Sequence, residues 1–156
     1  MAWTLEITIL IKEITILIKD RTALGIILDA EETNLIEPGG TVVEGTFGNT
    51  GIALTMINNA RGYKTIIVMP DGASEEKQSI LRNMGAELKV VATKPYSDPG
   101  NYQHVSKRLV EELQSKGETS VMWANQFDNT ANYKFHSKTT AKAVSYTHLT
   151  LPTIPQ

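Results

Sequence analysis

Several features are scarce or absent in this sequence, and each absence excludes a kind of functional site or partner. It has no cysteine, so the chain forms no disulfide, no thiolate metal site and no catalytic thiol, which is typical of a reducing compartment. It has no excess of one charge, because fifteen basic and seventeen acidic residues leave a formal charge of -2. No basic field therefore predicts a nucleic acid or a lipid surface as partner, and no metal-ligand spacing joins His104, His136 and His148. The expected ligand is a small molecule.

A glycine-rich turn is the most informative stretch of the chain. Residues 44–51 read Glu-Gly-Thr-Phe-Gly-Asn-Thr-Gly, directly after the β-branched run at 41–43 and before a helical pattern. Three glycines let the backbone turn tightly, and hydroxyl and amide side chains beside a helix N-terminus favour an anion. The spacing of these glycines fits neither a dinucleotide fingerprint nor a P-loop. The turn predicts an anion-binding loop.

Strands and helices alternate along the rest of the chain, whose 156 residues are enough for about one domain. This order predicts an α/β fold with an open, mostly parallel sheet and helices on both faces. The polar loops at 45–51 and 125–129 both follow strands, so they are expected at the carboxyl edge where such sheets bind ligands. The predicted strands are residues 41–44, 65–69, 87–91 and 120–123; the predicted helices begin near residues 20, 52, 74, 101 and 130.

Both ends of the sequence depart from this pattern. Residues 6–12 and 13–19 are tandem copies of Glu-Ile-Thr-Ile-Leu-Ile-Lys, β-prone and apolar, so residues 1–18 are interpreted as an anomalous segment. Residues 144–156 follow without a linker or cap and resemble the translated read-through of a sequencing adapter, so they are interpreted as a non-native tail. Residues 19–143 remain as the part that carries the function.

Five segments in a fixed order identify a family. Lys19-Asp20-Arg21 precedes the glycine-rich turn, and Val68-Met69-Pro70, Gly85-Ala86-Glu87 and the Asn-Gln-Phe-Asp-Asn run at 125–129 follow it. This combination resembles the fold-type II pyridoxal-phosphate-dependent enzymes, in the branch of cysteine synthase and cystathionine β-synthase. The resemblance covers about Lys19 to Thr140, an N-terminal fragment of such an enzyme, and implies a partial tryptophan-synthase-β-like architecture.

The resemblance also implies roles for individual residues. Lys19 looks like the lysine that binds pyridoxal 5'-phosphate covalently and later moves a proton at the substrate α-carbon. Asn49 is similar to the asparagine that hydrogen-bonds the phenolic oxygen of the cofactor. Thr46, Gly48 and Thr50 resemble the loop that grips the substrate α-carboxylate, and Gln126 resembles a further carboxylate donor. For Thr46 and Thr50, ordinary helix capping is the alternative interpretation.

Three departures from the family pattern bear on activity. Phe47 replaces a small residue, so its ring either crowds the carboxylate site or points away. The run Ile-Thr-Ile-Leu-Ile stands where the family has an Asn-Pro-Gly-Gly-Ser type of turn before the lysine. Nothing after residue 140 supplies the second glycine-rich loop that would hold the cofactor phosphate or the small hydroxyl residue that would face the pyridine nitrogen, so this chain alone is expected to bind the cofactor poorly.

The function implied by the resemblance is a β-replacement that forms cysteine from an activated serine. The alternatives are an inactive truncated remnant, a serine or threonine dehydratase-like enzyme and a cystathionine β-synthase-like enzyme of the same fold. The Gln126-Phe127 loop favours a synthase over a dehydratase. The resemblance further implies a small amino-acid substrate, no nucleic-acid or membrane partner, a homodimer for the intact enzyme, and a cytoplasmic location with the mitochondrion as the alternative.

Overall fold

The computed structural model describes residues 18–149 of the chain. Within these residues, four strands and the first five helices come in the order predicted from the sequence, and a sixth helix, which was not predicted, follows at the end. The predictions for residues 1–17 and 150–156 lie outside the described residues. The elements are α1 (Ile18–Glu32), β1 (Thr41–Gly45), α2 (Asn49–Arg61), β2 (Lys64–Pro70), α3 (Glu75–Asn83), β3 (Glu87–Val91), α4 (Tyr102–Ser115), β4 (Val121–Trp123), α5 (Thr130–Lys138) and α6 (Thr140–Leu149).

The four strands form one parallel sheet with the order β3-β2-β1-β4. In its register Val43 lies between Ile66 of β2 and Trp123 of β4. All four strands therefore end at the same edge, as the alternation of strands and helices predicted. The α/β prediction is confirmed.

Helices cover both faces of the sheet, because successive strand residues point in opposite directions. Val42 and Met122 pack among buried residues of α1, α2 and α5, and on the same face Ile67 packs against α3. Val43 points to the other face, where the apolar side of α4 covers it. Both faces are thus buried, which explains why the strands read as continuous β-branched runs.

Local signals in the sequence account for most element ends. Gly62 ends α2 in a left-handed conformation with φ 77°, and Asn101 caps α4 by accepting a hydrogen bond from the backbone of Gln103. Ser74 occupies the N-cap position of α3, as predicted, but its side chain makes no capping hydrogen bond. Pro70 is the last residue of β2 rather than the first residue beyond it.

Residues 19–143 are expected to carry the function, and both boundaries of this segment fall inside helices. Helix α1 begins at Ile18, two residues before the start expected at Asp20, so Lys19 lies in its first turn. Helix α6 crosses the boundary drawn before residue 144, and residues 141–146 on it are exposed. The non-native origin of that tail stays a prediction. None of the described helices is long and apolar enough to cross a membrane.

Candidate active site at the carboxyl ends of β1 and β4

Three segments distant in sequence meet where β1 and β4 end. The parallel pairing of these strands continues beyond Trp123, where the backbone N–H of Ala124 donates to the carbonyl of Val43 over 2.9 Å. This alignment places the loop after β1 beside the loop after β4. The first turn of α1 brings Lys19 to the same place.

Gln126 is the centre of the resulting hydrogen-bond network and is only 4% exposed. Its Oε1 accepts hydrogen bonds from Lys19 Nζ over 3.1 Å and from Thr50 Oγ1 over 2.5 Å. Its Nε2 donates to Glu44 Oε1 over 3.1 Å. The structure thus brings together three residues that the resemblance singled out, and adds a fourth, Glu44.

Loop hydrogen bonds hold the backbone on either side of Gln126. Asn125 adopts the left-handed region with φ 47°, where asparagine is tolerated better than most residues. Asn132 Nδ2 donates to the carbonyl of Gln126 over 2.9 Å, and Asn129 Nδ2 donates to that of Ala124 over 3.0 Å. The polar run after β4 and Asn132 of α5 therefore hold the backbone that carries Gln126.

Glu44 is a buried carboxyl group near the end of β1, and the family resemblance assigns it no role. Its side chain is 1% exposed and lies on the α1 face of the sheet, like Val42. Burial raises the pKa of Glu44 to about 8, although the hydrogen bond from Gln126, the backbone of Gln126 and Asn125, and the charge of Lys19 lower it. Its Oε2 has no hydrogen-bond partner within residues 18–149. One feature of the sequence could have indicated this buried carboxyl group: Glu44 is an acidic residue at an inward-facing position of a predicted strand.

The glycine-rich loop runs from β1 into α2 with its polar groups already engaged. The backbone N–H of Thr46 donates to the carbonyl of Val68 over 3.0 Å, and Thr46 Oγ1 accepts from the backbone N–H of Gly48 over 3.2 Å. Gly48 is the N-cap of α2 with φ 135°, a conformation that favours glycine. Asn49 is exposed in the first position of the helix. The side chain of Thr50 bonds Gln126 instead of capping the helix.

The ring of Phe47 packs towards α4. It meets the ring of Tyr102 edge to face, with centroids 5.3 Å apart and planes at 84°, and it stays 47% exposed. Tyr102 packs against the apolar cluster on the α4 face, whereas Glu44 lies on the α1 face. Of the two orientations left open by the sequence, the structure has the one in which the ring contacts α4.

His136 connects helices and takes no part in the Gln126 network. Its Nε2 lies 3.0 Å from Thr22 Oγ1 of α1, and its Nδ1 lies 2.8 Å from Thr140 Oγ1 of α6. Burial lowers the pKa of His136, and the positive charges of Arg21 and Lys19 lower it further. These contacts link α5, which carries His136, to α1 and α6.

Comparison with known proteins identifies the class. The family model described as pyridoxal-phosphate dependent enzyme matches residues 15–151. The chain therefore belongs to the pyridoxal-phosphate-dependent enzyme family.

The similar proteins include cysteine synthases and an O-ureido-L-serine synthase. Cysteine synthase 1 of Emericella nidulans is 46% identical over 125 residues, which cover 80% of this chain and 32% of that protein. The probable cysteine synthase of Bacillus subtilis is 41% identical over 126 residues, 81% of this chain and 38% of that protein. The crystal structure of O-ureido-L-serine synthase superposes with a TM-score of 0.71 at 40% identity, over 83% of this chain and 38% of that one. The fold-type II prediction is confirmed, and the chain spans about a third of the length of the curated relatives it matches.

The residues of this site suit one end of pyridoxal phosphate. The primary amine of Lys19 is half-buried beside Gln126, and an amine is the nucleophile that an aldehyde cofactor requires. The exposed amide of Asn49 supplies a hydrogen-bonding group at the start of α2. The described residues thus fit the aldehyde and ring end of the cofactor.

Proposed function

We propose that this chain forms the lysine-bearing part of a pyridoxal-phosphate-dependent β-replacement enzyme that makes cysteine from an activated serine and a sulfide donor. The observation that carries the proposal is the approach of Lys19 Nζ to Gln126 Oε1, 3.1 Å, beside the glycine-rich loop. This contact joins the first turn of α1 to the loop after β4, two segments 107 residues apart. The similarity to cysteine synthases supports this reaction over dehydration.

Each residue has a distinct task in this proposal. Lys19 holds the cofactor and moves a proton at the substrate α-carbon, while Asn49 orients the cofactor ring. When bound, pyridoxal phosphate supplies an aromatic ring that withdraws electrons from that carbon. Thr46 and the N–H groups at the start of α2 bind the substrate carboxylate, because a helix N-terminus favours an anion. Thr50 and Gln126 can bind the substrate carboxylate only after the hydrogen bond between them breaks.

Covalent trapping tests the first of these tasks. The purified chain is mixed with pyridoxal phosphate and reduced with borohydride, and the modified lysines are located by peptide mass spectrometry. We expect the pyridoxyl group on Lys19 at a higher yield than on any other lysine, because among the lysines of residues 18–149 only Lys19 combines partial burial with a contact to Gln126. Trapping also detects weak binding, because reduction makes the bond to the lysine permanent.

Two substitutions provide the controls. Lys19→Ala should abolish the principal modified peptide, whereas Lys77→Ala, which removes a lysine whose side chain lies over Gly48, should leave it in place. Equal modification of Lys19 and the other lysines would contradict the proposal. Retention of the fold in both variants is checked by circular dichroism.

A further inference from the structure

The buried carboxyl of Glu44 accepts a hydrogen bond from the side-chain amide of Gln126. The two residues are 82 positions apart, and both are almost fully buried. A glutamate in such a place usually costs stability, because a carboxyl group loses its hydration there. The hydrogen bond from Gln126 suggests what this buried carboxyl group does at the site.

A glutamine amide presents one oxygen acceptor and one NH2 donor, so its orientation decides what its neighbours meet. Lys19 can only donate, and Thr50 donates its hydroxyl hydrogen to the same oxygen. A reversed amide would turn its NH2 group towards Lys19, so two donors would face each other. The position of Glu44 Oε1 on the opposite side favours the observed orientation, because it accepts the hydrogen bond from Nε2.

We propose that Glu44 is a positioning residue of this site, which holds the Gln126 amide with its oxygen towards Lys19 and Thr50. The inference deepens the proposed function and rests on it for its catalytic meaning. Glu44 Oε1 can accept this hydrogen bond whether the carboxyl group is protonated or ionised. Burial and the raised pKa of Glu44 make the neutral form the resident one near neutral pH, so the arrangement does not depend on a buried charge.

A double-mutant cycle on Glu44 and Gln126 tests this role without the cofactor, with the reactivity of Lys19 as the measured quantity. The rate of reductive methylation of Lys19, followed by peptide mass spectrometry, reports how firmly the neighbouring oxygen holds its amine. We expect Glu44→Leu and Gln126→Leu each to raise this rate about tenfold, since a charge-assisted hydrogen bond is lost. The double variant should react no faster than either single variant. Additive effects, or an unchanged rate in Glu44→Leu, would overturn the inference.

Two further variants separate positioning from a general effect of removing a carboxyl group. Glu44→Gln keeps a carbonyl acceptor for Gln126, so its methylation rate should stay near that of the unmodified chain. Glu31→Leu removes a carboxylate that binds Arg61 and Tyr63, away from this site, and should leave the Lys19 rate unchanged. A rate increase in Glu31→Leu equal to that in Glu44→Leu counts against the inference.

A measurement on the unsubstituted chain remains decisive if Glu44→Leu does not fold. The side-chain amide signals of Gln126, assigned by their loss in Gln126→Leu, are followed by nitrogen NMR during a pH titration. Within the described residues, Lys19 is the charged group whose field acts on Glu44. The signals should shift as Glu44 ionises, and Glu44→Gln should remove that shift although Lys19 is still present. Signals that do not respond, or that respond equally in Glu44→Gln, refute the contact.

The two proposals can fail separately. A non-additive cycle with no pyridoxyl group on Lys19 would leave the positioning role standing and reject the enzymatic function. Trapping at Lys19 with an additive cycle would support the enzymatic function and reject the role of Glu44.

Discussion

The hydroxyl group of Thr50 donates to the amide oxygen of Gln126 over 2.5 Å and joins the loops that follow β1 and β4. Both side chains are buried, so neither can bind a substrate until the hydrogen bond between them breaks. The same amide oxygen also accepts from Lys19. A change at Thr50 therefore acts on the lysine through Gln126.

Substituting Thr50 with valine tests this link, because valine has the same shape without the hydroxyl group. We expect Thr50→Val to lower the free energy of unfolding by about 1 kcal/mol, since a buried hydrogen bond is lost. It should also change the methylation rate of Lys19. Thr55→Val is the matched control, because Thr55 Oγ1 donates to the carbonyl of Gly51 within α2. That control should lose stability in urea unfolding but leave the lysine rate unchanged.

Stability should fall with rising pH because of Glu44. The folded state raises the pKa of this carboxyl from 4.5 to about 8, so between these values the folded chain holds a proton that the unfolded chain has released. The contribution of Glu44 to the free energy of unfolding is complete below its unfolded pKa. Between the two pKa values it decreases by about 1.4 kcal/mol per pH unit, and it is lost once pH has risen through the folded pKa.

Urea unfolding across this pH range measures the slope, and its difference from Glu44→Gln isolates the contribution of Glu44. The lowered pKa of His136 acts in the opposite direction near its own titration, but it is present in both proteins and cancels. An identical pH dependence of the two proteins would show that Glu44 is not buried as described.

The Phe47–Tyr102 contact should stabilise the glycine-rich loop slightly. We expect a double-mutant cycle with Phe47→Ala and Tyr102→Ala to give a coupling free energy of about 0.5–1 kcal/mol, because the pair is edge to face but Phe47 is half-exposed. Tyr96 and His104 form a second ring contact, with centroids 4.6 Å apart, for comparison. A coupling near zero between Phe47 and Tyr102 would mean that the ring does not rest on α4 in solution.

Replacing Gly48 should disturb the loop through backbone strain. Its φ of 135° is strained for any other residue, and a Cβ there would meet the side chain of Lys77. We expect Gly48→Ala to cost about 1–3 kcal/mol of unfolding free energy and to lower trapping of pyridoxal phosphate at Lys19.

Gly62→Ala is the control for backbone strain alone. Gly62 has φ 77° with nothing near its Cβ position, and it lies at the far end of α2. This variant should lose about 1 kcal/mol of stability and keep its trapping yield. Equal trapping by both variants would mean that the loop geometry does not matter for the lysine.

Much of the fold could be predicted because its signals are local. The run at 65–69 is β-branched and ends near a proline, and β2 occupies Lys64–Pro70. Gly62 marks the end of α2 because only glycine adopts its conformation cheaply. The start of α1 was displaced by two residues, since the repeated β-prone run before it obscured the helical pattern.

The candidate site was predictable only in part. Its polar loops were expected at one sheet edge, because all carboxyl ends of a parallel sheet meet there. The roles of Lys19, Asn49, Thr46, Gly48, Thr50 and Gln126 came from resemblance, and they stay predictions. Glu44 was missed because an acidic residue at the end of a strand is usually a solvated one.

The sequence by itself determined the order of the elements, the parallel sheet and the family, because periodicity, turn residues and motif order are written along the chain. The tertiary structure alone decided which way side chains turn where distant segments meet. It directed Phe47 to α4, and it placed Glu44, Gln126 and Lys19 in one network whose contacts span 82 and 107 residues. Such contacts follow from strand register and packing, which no local pattern specifies.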